Sequence, residues 1–580
     1  MKSLLRLIPY LKKYRFSLFT GFCFIVLTVY FSTKVPKVMG QAIDSLNENF
    51  DRSVLMTYVG LIILYSVIQG IFRFLMRNTM VGISRKIEYH IRNDFFRHLQ
   101  SLEQSFYSTN RTGDLMSRAT NDLNAVRMVL GPGIMYSINT TVLFGVALYY
   151  MISINPMLTL LAMLPFPLMA VLIKRFGVKV HYWFEKIQAQ FSTISARAQE
   201  NLSGIRIIKS YVREKSEIKL FEKLNKDYVS LNQRLIKVWS MFYPVIQFVS
   251  SLGFAFILWY GGRSVINQTI TLGEFVAFNT YLVMLIWPMI SVGWIINIFQ
   301  RGAASMIRMN KIFDTKPAIN DAFALPNITK LTGDIEIRNL TFSYGENQPP
   351  VLKNINLRIP QGSTAAIIGP TGSGKTTLIS LIPRIYDPPP GTVFIDGHDI
   401  RTIPLHTLRQ HISIVPQETF LFSESIKENI VYGIDLHSDP QLYEAVTISQ
   451  LRENIEAFPK QYDTMLGERG INLSGGQKQR TAISRAVIRE PKILILDDAL
   501  SSVDTKTEEE ILRGLKDVMK SRTSIIISHR ISTIKDSDII YVLDDGEIVA
   551  QGTHDELLVL GGLYAGLYHK QLLTEELELE

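Results

Sequence analysis

At 580 residues the chain is too long for one ordinary domain. Hydrophobic residues make up 47% of it and the mean hydropathy is +0.15, high values for a wholly soluble protein. The net charge of +9 leaves nucleic acid or a membrane surface open until its distribution is read, and the lone cysteine, Cys23, excludes a disulfide framework and a cysteine metal cluster.

The opening stretch "MKSLLRLIPYLKKYR" is basic and apolar and reads as an amphipathic helix along the inner leaflet. Behind it come six segments, near 17–40, 55–77, 130–153, 155–176, 238–262 and 273–298, each long enough for a bilayer crossing of about 20 residues. A soluble domain has nowhere to bury so many all-apolar helices, which predicts an α-helical membrane domain. No small-residue cleavage pattern follows the first segment, so it is an anchor and not a signal peptide.

Basic residues gather in two long connections: Arg77, Arg85, Lys86, Arg92 and Arg97 in one, Lys174, Arg175 and Lys179 in the other. Of the short connections, "DSLNENFD" is acidic, "ISINP" is uncharged and "GGRSVINQ" has one arginine. Positive-inside logic puts both termini and both long connections in the cytoplasm. The basic balance is therefore topology, and no nucleic-acid partner is expected. The long connections, about 78–128 and 177–237, carry helical periodicity and many charges, which predicts helices that leave the membrane, turn and return. Their tips would meet a cytoplasmic partner, with the soluble half of the chain the obvious candidate. Gln247, Asn279, Trp287 and Trp294 lie in the last two spans, where polar groups line pathways or pack and anchor helices.

"FDTKPAINDAFALPNITKLTGD" is rich in Pro, Asn and Asp and reads as a linker. From about 335 the chain alternates short β-branched runs with helix-like segments, as a soluble α/β domain does. The expected division is a membrane domain over 1–312, a linker over 313–334, an α/β domain over 335–572 and an acidic tail over 573–580.

Inside the α/β half, "IIGPTGSGKTT" follows the strand-like "TAAII" and precedes the helix-like "LISLIPRIY". Gly369, Gly374, Lys375 and Thr376 satisfy G-x-x-x-x-G-K-[ST] in the strand–loop–helix context that a P-loop requires. The run Gly369, Pro370, Thr371, Gly372, Ser373, Gly374 lets the backbone wrap phosphates, and the helix that opens at Lys375, Thr376 and Thr377 adds positive dipole. Lys375 would reach the β- and γ-phosphates of ATP and Thr376 would ligate Mg2+. "ILILD" ends in Asp497, the carboxylate on the Mg2+ side of a P-loop ATPase. In "LSGGQKQR", Ser474 and the backbone at Gly475 and Gly476, followed by Gln477, make a second anion-binding turn. One chain seldom needs two phosphate cradles for one nucleotide, so this turn is expected to complete a site on another copy of the domain.

With these motifs the chain resembles an ATP-binding cassette (ABC) exporter half-transporter of the multidrug or lipid-exporter type, six transmembrane helices ahead of a P-loop nucleotide-binding domain. The likeness covers nearly the whole chain. It implies ATP and Mg2+ as cofactors, a second half-transporter and the lipid bilayer as partners, and a hydrophobic small molecule as substrate. Motif by motif, Tyr344 in "LTFSYG" resembles the aromatic that stacks on adenine, and Gln417 in "IVPQETFLF" the glutamine that senses Mg2+ and γ-phosphate. Asp504 in "SSVD" resembles the loop crossing to the other nucleotide domain, and His529 in "IIISHR" the switch histidine on the γ-phosphate. "FYSTNRTGDLMSRATNDLNAVR" and "AQENLSGIRIIKSYVRE" resemble the two loops whose coupling helices dock on nucleotide domains, the second usually on the opposite subunit. "LGERGINLSGGQ" resembles the segment contacting them, with Glu468 and Arg469 as candidate contacts.

One position departs from the family pattern. The residue after Asp497 is normally a glutamate that polarises the attacking water; here it is Asp498, retracted by one methylene, on the order of 1.5 Å. Misplacement near 1 Å costs about a hundredfold in rate. Leu500 and Ser502 stand where the pattern has Thr and Ala. A specialised, slow site in a heterodimer is expected, in which the intact signature of this chain completes the partner's site. Asp498 acting as base through a differently placed water, in a homodimer, is the alternative. An ATP-gated channel or regulatory subunit also suits a weakened site, and import with the same architecture stays open; a soluble cassette ATPase is excluded by the spans.

Overall fold

The computed structural model describes residues 2–48, 52–345, 347–467, 470 and 472–579. It divides into two compact units, Met1–Gln100 with Gly113–Thr315, and Ser101–Thr112 with Lys316–Glu580. Glu468 and Arg469, the expected contacts ahead of the signature, lie outside the described residues.

In the first unit six helices are long and apolar enough to cross a membrane. Short helical turns over Lys2–Leu7 and Ile8–Lys13 precede α1 (Arg15–Glu48) and α2 (Arg52–Gln100). Helix α2 has 49 residues. At a rise of about 1.5 Å per residue it is roughly 70 Å long, more than twice a bilayer's hydrocarbon thickness, so its charged end must continue beyond the lipid. The third span, Thr112–Ile154, contains π turns at Arg118–Asp122 and Val129–Gly133 and ends in α4 (Ile134–Ile154). Behind it run α5 (Pro165–Ser203), the short α6 (Ile205–Ser210), α7 (Glu214–Phe256) and α8 (Leu272–Phe313). Helices α1, α2, α4 and α8 pack on one another, while α5 and α7 pair along their length.

Small residues set the closest approach. A methyl group at Gly273 of α8 would lie 1.9 Å from the Gly40 carbonyl of α1. Beside it Asp44 accepts hydrogen bonds from Thr271 Oγ1 and the Gly273 N–H, both at 2.6 Å, and so caps α8 from α1. Arg85 and Arg92, two of the residues that argue orientation, clasp the buried Glu88 at 2.9 and 2.6 Å. Of the polar and aromatic residues in the last two spans, Trp287 borders a cavity among α1, α2, α4 and α8. Trp294 packs edge-on against Tyr136, Asn279 Oδ1 is buried without a hydrogen-bond partner among the described residues, and Gln247 is exposed.

The second unit contains α3 (Gln104–Thr109), the tip of the first long connection. Its neighbour Glu103 accepts a hydrogen bond from the Ala318 N–H at 3.0 Å. Residues 316–334 form no helix or strand. A four-stranded antiparallel sheet has the order β2–β1–β4–β5, from β1 (Ile335–Phe342), β2 (Leu352–Ile359), β4 (Val393–Ile395) and β5 (His398–Asp399). The larger sheet has the order β10–β9–β3–β8–β7–β6. Its strands are β3 (Thr364–Ile368), β6 (Ile412–Val415), β7 (Ile493–Asp497), β8 (Thr523–Ile527), β9 (Ile539–Asp544) and β10 (Glu547–Gly552), all parallel except β10. Apolar clusters cover both faces, which is why β7 and β8 are buried at every position and read as continuous apolar runs.

Candidate active site

The carboxyl ends of β3, β7 and β8 lie side by side, since Asp497 pairs with Ile527 and Ile367 with Ile527. Each strand therefore delivers its following loop to the same edge. From β3 the loop leads through Gly369–Gly374 into α9 (Lys375–Leu381), with Gly372 and Gly374 at φ values of 87° and 102° that favour glycine. Lys375 donates to the carbonyls of Gly369 and Pro370 at 2.9 and 2.8 Å. Thr376 Oγ1 donates to Asp497 Oδ2 at 2.9 Å, tying the loop to β7.

Asp498 sits at φ 48°, its N–H bonded to the Ile527 carbonyl at 2.8 Å, so the chain leaves β7 in a sharp turn. Its carboxylate accepts a long hydrogen bond of 3.4 Å from Gln417 Nε2. A cleft of about 220 Å³ unites Thr371, Gly372, Gly374, Lys375, Thr376, Thr377, Gln417, Asp497, Asp498 and His529. Tyr344 stands beside it, its hydroxyl 2.7 Å from Thr377 Oγ1 and its ring edge-on to Tyr386.

Charge at this edge is poorly solvated. Burial pushes the Asp497 carboxyl above its ordinary range; the Thr376 hydrogen bond opposes this, Asp498 adds to it, and Lys375 and His529 oppose it. Burial likewise holds Lys375 below its usual range, against the attraction of Asp497 and Asp498. Ser373 Oγ is buried without a hydrogen-bond partner among the described residues, a donor suited to a phosphate oxygen. The hard oxygen pair Thr376 Oγ1 and Asp497 Oδ2 suits a small divalent cation such as Mg2+.

The signature residues are not part of this cleft. Ser474 caps α10 (Gly475–Val487) in a reciprocal box with Gln477. A methyl group at Gly476 would lie 2.9 Å from the Ser502 carbonyl. Asp504 caps α11 (Thr505–Met519) by accepting from the Thr507 N–H at 3.0 Å.

Two family models match the chain: the ABC transporter transmembrane region over residues 18–289 and the ABC transporter domain over residues 352–501. A probable multidrug resistance ABC transporter ATP-binding/permease protein of Bacillus subtilis, YheI, is 37% identical, covering 93% of this chain and 92% of its own length. This chain is an ABC transporter. The multidrug resistance-like ATP-binding protein MdlA of Escherichia coli is 35% identical, over 94% of the transporter and 92% of its own length. An ATP-dependent lipid A-core flippase of Syntrophus aciditrophicus is 36% identical, over 89% and 85%. Among solved structures, that of a bacterial Atm1-family ABC exporter with ATP bound aligns with a TM-score of 0.77 at 27% identity, covering 96% of this chain and 98% of the other.

Three residues that the motifs did not single out hold the ABC transporter's loops. Gln479, 4% exposed, donates to Ser501 Oγ at 2.9 Å and to the Asp498 carbonyl at 3.4 Å, and accepts the Ser502 N–H at 2.9 Å. It ties the signature helix to the loop behind Asp498. Gln571, on the last helix, α12 (Gly562–Leu579), accepts the Ile531 N–H at 2.8 Å and donates to the His529 carbonyl. Glu508 is buried against Arg530 and takes a 2.6 Å hydrogen bond from Thr533. A buried polar residue inside an amphipathic helix was the only sequence signal for Gln479 and Glu508; Gln571 had none.

Proposed function

We propose that this transporter is half of an ATP-driven exporter of amphipathic or hydrophobic small molecules, resident in the cytoplasmic membrane with both termini inside. We further propose that it pairs with a different half-transporter and contributes the slower of two ATP sites. The names of the relatives, multidrug resistance proteins and a lipid flippase, support the cargo class. The observation that carries the unequal pair is Asp498: its short carboxylate sits at the strand edge with Lys375, Asp497 and His529, and among the described residues its one side-chain hydrogen-bond partner is Gln417.

In this reading Lys375 and Ser373 hold the phosphates, and Tyr344 stacks on the base. Thr376, Asp497 and Gln417 would hold Mg2+, which supplies charge neutralisation at the β- and γ-phosphates. Asp498 orients water from too far back, and His529 contacts the γ-phosphate. Ser474, Gly475, Gly476 and Gln477, which do not line the cleft, face a second nucleotide domain, with Asp504 crossing beside them. ATP binding closes the two domains and turns the cavity outward; hydrolysis resets it. Pairing is supported by the tip of the second long connection, where Ile207, Tyr211 and Val212 are 65%, 75% and 80% exposed, an apolar surface that needs a partner.

Two measurements test the proposal. Inside-out vesicles carrying the transporter and its partner should accumulate an amphipathic dye only with ATP; uptake that ignores ATP contradicts export. The purified chain alone should hydrolyse ATP at no more than about a hundredth of the rate of the co-expressed pair. Equal rates would remove the unequal pair and leave the exporter.

A further inference from the structure

Helix α2 carries a polar stripe inside an apolar span. Gln69, Arg73 and Arg77 recur at four-residue spacing and so share one face. The flank of this stripe that faces the bundle is used in packing: Phe72 stacks on Phe31 of α1 at 5.9 Å, and Met76 and Met80 are buried. Basic residues further along the same helix have acidic partners, as Arg85 and Arg92 have in Glu88. Arg73 and Arg77 differ: among the described residues neither makes an ion pair, a hydrogen bond or a ring contact.

Both arginines border a cavity of about 190 Å³ to which three other spans contribute. Ser32 comes from α1, Asn139 and Thr140 from α4, and Trp287 from α8. Ser32 and Trp287 lie well inside their apolar spans, so the guanidinium groups share a cavity with residues at membrane depth. Among the described residues no Asp or Glu lines this cavity or the open surface of α2 beside Arg73, Arg77 and Arg85. Arg73 lies within the apolar run 55–77 and Arg77 at its cytoplasmic end; unpaired guanidinium groups there are costly and face a water-filled path or a ligand rather than lipid. Met135, Tyr136, Met284 and Trp287 supply an apolar wall beside them.

We propose that Arg73 and Arg77 recognise the cargo, and that the preferred cargo is an amphipathic anion whose carboxylate, sulfonate or phosphate head lies between the two guanidinium groups and whose body lies on the aromatic wall. This deepens the exporter reading and rests on it. Guanidinium forks bind planar or tetrahedral oxyanions through paired N–H donors. Asn139 and Thr140 are placed to take remaining oxygen lone pairs, and the absence of any carboxylate in the lining disfavours cationic cargo.

The test uses the full-length chain in the assembly in which it purifies, reconstituted in phosphatidylcholine vesicles. Three NBD-labelled probes share one dodecyl body: the carboxylate, its methyl ester and a trimethylammonium analogue. Anisotropy gives affinity, and ATP-dependent uptake into inside-out vesicles gives transport. The carboxylate should bind at least about tenfold tighter than the ester. Arg73→Gln and Arg77→Gln should each cost about tenfold for the carboxylate and leave the ester unchanged, while Arg73→Lys with Arg77→Lys keeps most of the preference. An NBD-phosphatidate arm separates sources: tighter binding than the free carboxylate assigns the anion to a lipid headgroup, weaker binding to a soluble amphiphile. Equal affinity for carboxylate and ester, or a preference that survives both Gln substitutions, overturns the assignment. ATP-driven uptake of ester or cation without any preference for the anion removes only this inference. Failure of every probe to move with ATP contradicts the exporter reading itself, whatever the binding data give.

Discussion

At Gly369 the chain passes so close to β9 that a methyl group would sit 1.9 Å from the Leu543 carbonyl oxygen. The obstacle is backbone of a central strand and has no room to yield. Gly369→Ala should therefore cost about 3 kcal/mol, the upper end for overpacking, and abolish ATP binding. A thermal midpoint for the soluble unit within a degree of wild type would contradict this. Asp396 makes a second single-residue prediction. Burial alone would raise its carboxyl, but hydrogen bonds from the Thr332 hydroxyl and the N–H groups of Thr332, Asp334 and Gly333 hold it below the usual range. A carboxyl lowered in the folded state contributes stability above its unfolded value of about 3.9 and loses it as pH falls through the folded value. Asp396→Asn should thus lower the melting temperature at pH 7, with the gap closing below about pH 4. A gap independent of pH would assign the loss to packing. Lys375, Thr376 and Asp497 were legible because a P-loop needs those types at fixed spacing, whereas Gln571 reaches His529 across 42 positions and leaves no local pattern.

At the scale of elements, α12 is more than a terminal tail. Its Gln571 holds the backbone on both sides of Arg530, at the His529 carbonyl and the Ile531 N–H. Losing two hydrogen bonds worth about 1 kcal/mol each should let this segment breathe. For Gln571→Ala we expect faster amide exchange across 528–534, turnover lowered several-fold and ATP affinity kept. Unchanged exchange in that segment would show that Glu508 and Thr533 alone hold it. The six spans are legible as hydropathy, and the helical extensions expected beyond them are borne out. The apolar run of α2 is 55–77, and the helix covers Arg52–Gln100, well into the connection read as helical. Hydropathy marks only the part that meets lipid; beyond it, helical periodicity with charges such as Arg85, Glu88 and Arg92 carries the signal. The π turns around Pro132 had no counterpart in the sequence reading, because they adjust a helix already formed.

Across the whole molecule, a six-helix membrane domain precedes an α/β nucleotide-binding domain, as the sequence resemblance implied. A role across a pair of chains is readable only as chemistry: Ser474 and Gly476 are expected to form a second cradle, and neither lines this chain's own cleft. The proposed pairing explains that surplus together with the exposed tip at Ile207, Tyr211 and Val212. It also gives Asp498 a place, since a slow site is tolerable beside a fast one. The most direct test is the steady-state ATPase rate of the purified chain without a partner, wild type against Asp498→Glu. The account predicts a rate near background for the wild type and a gain of tenfold or more, up to about a hundredfold, when the carboxylate is extended. Brisk hydrolysis by the wild type, left unchanged by the substitution, would contradict it.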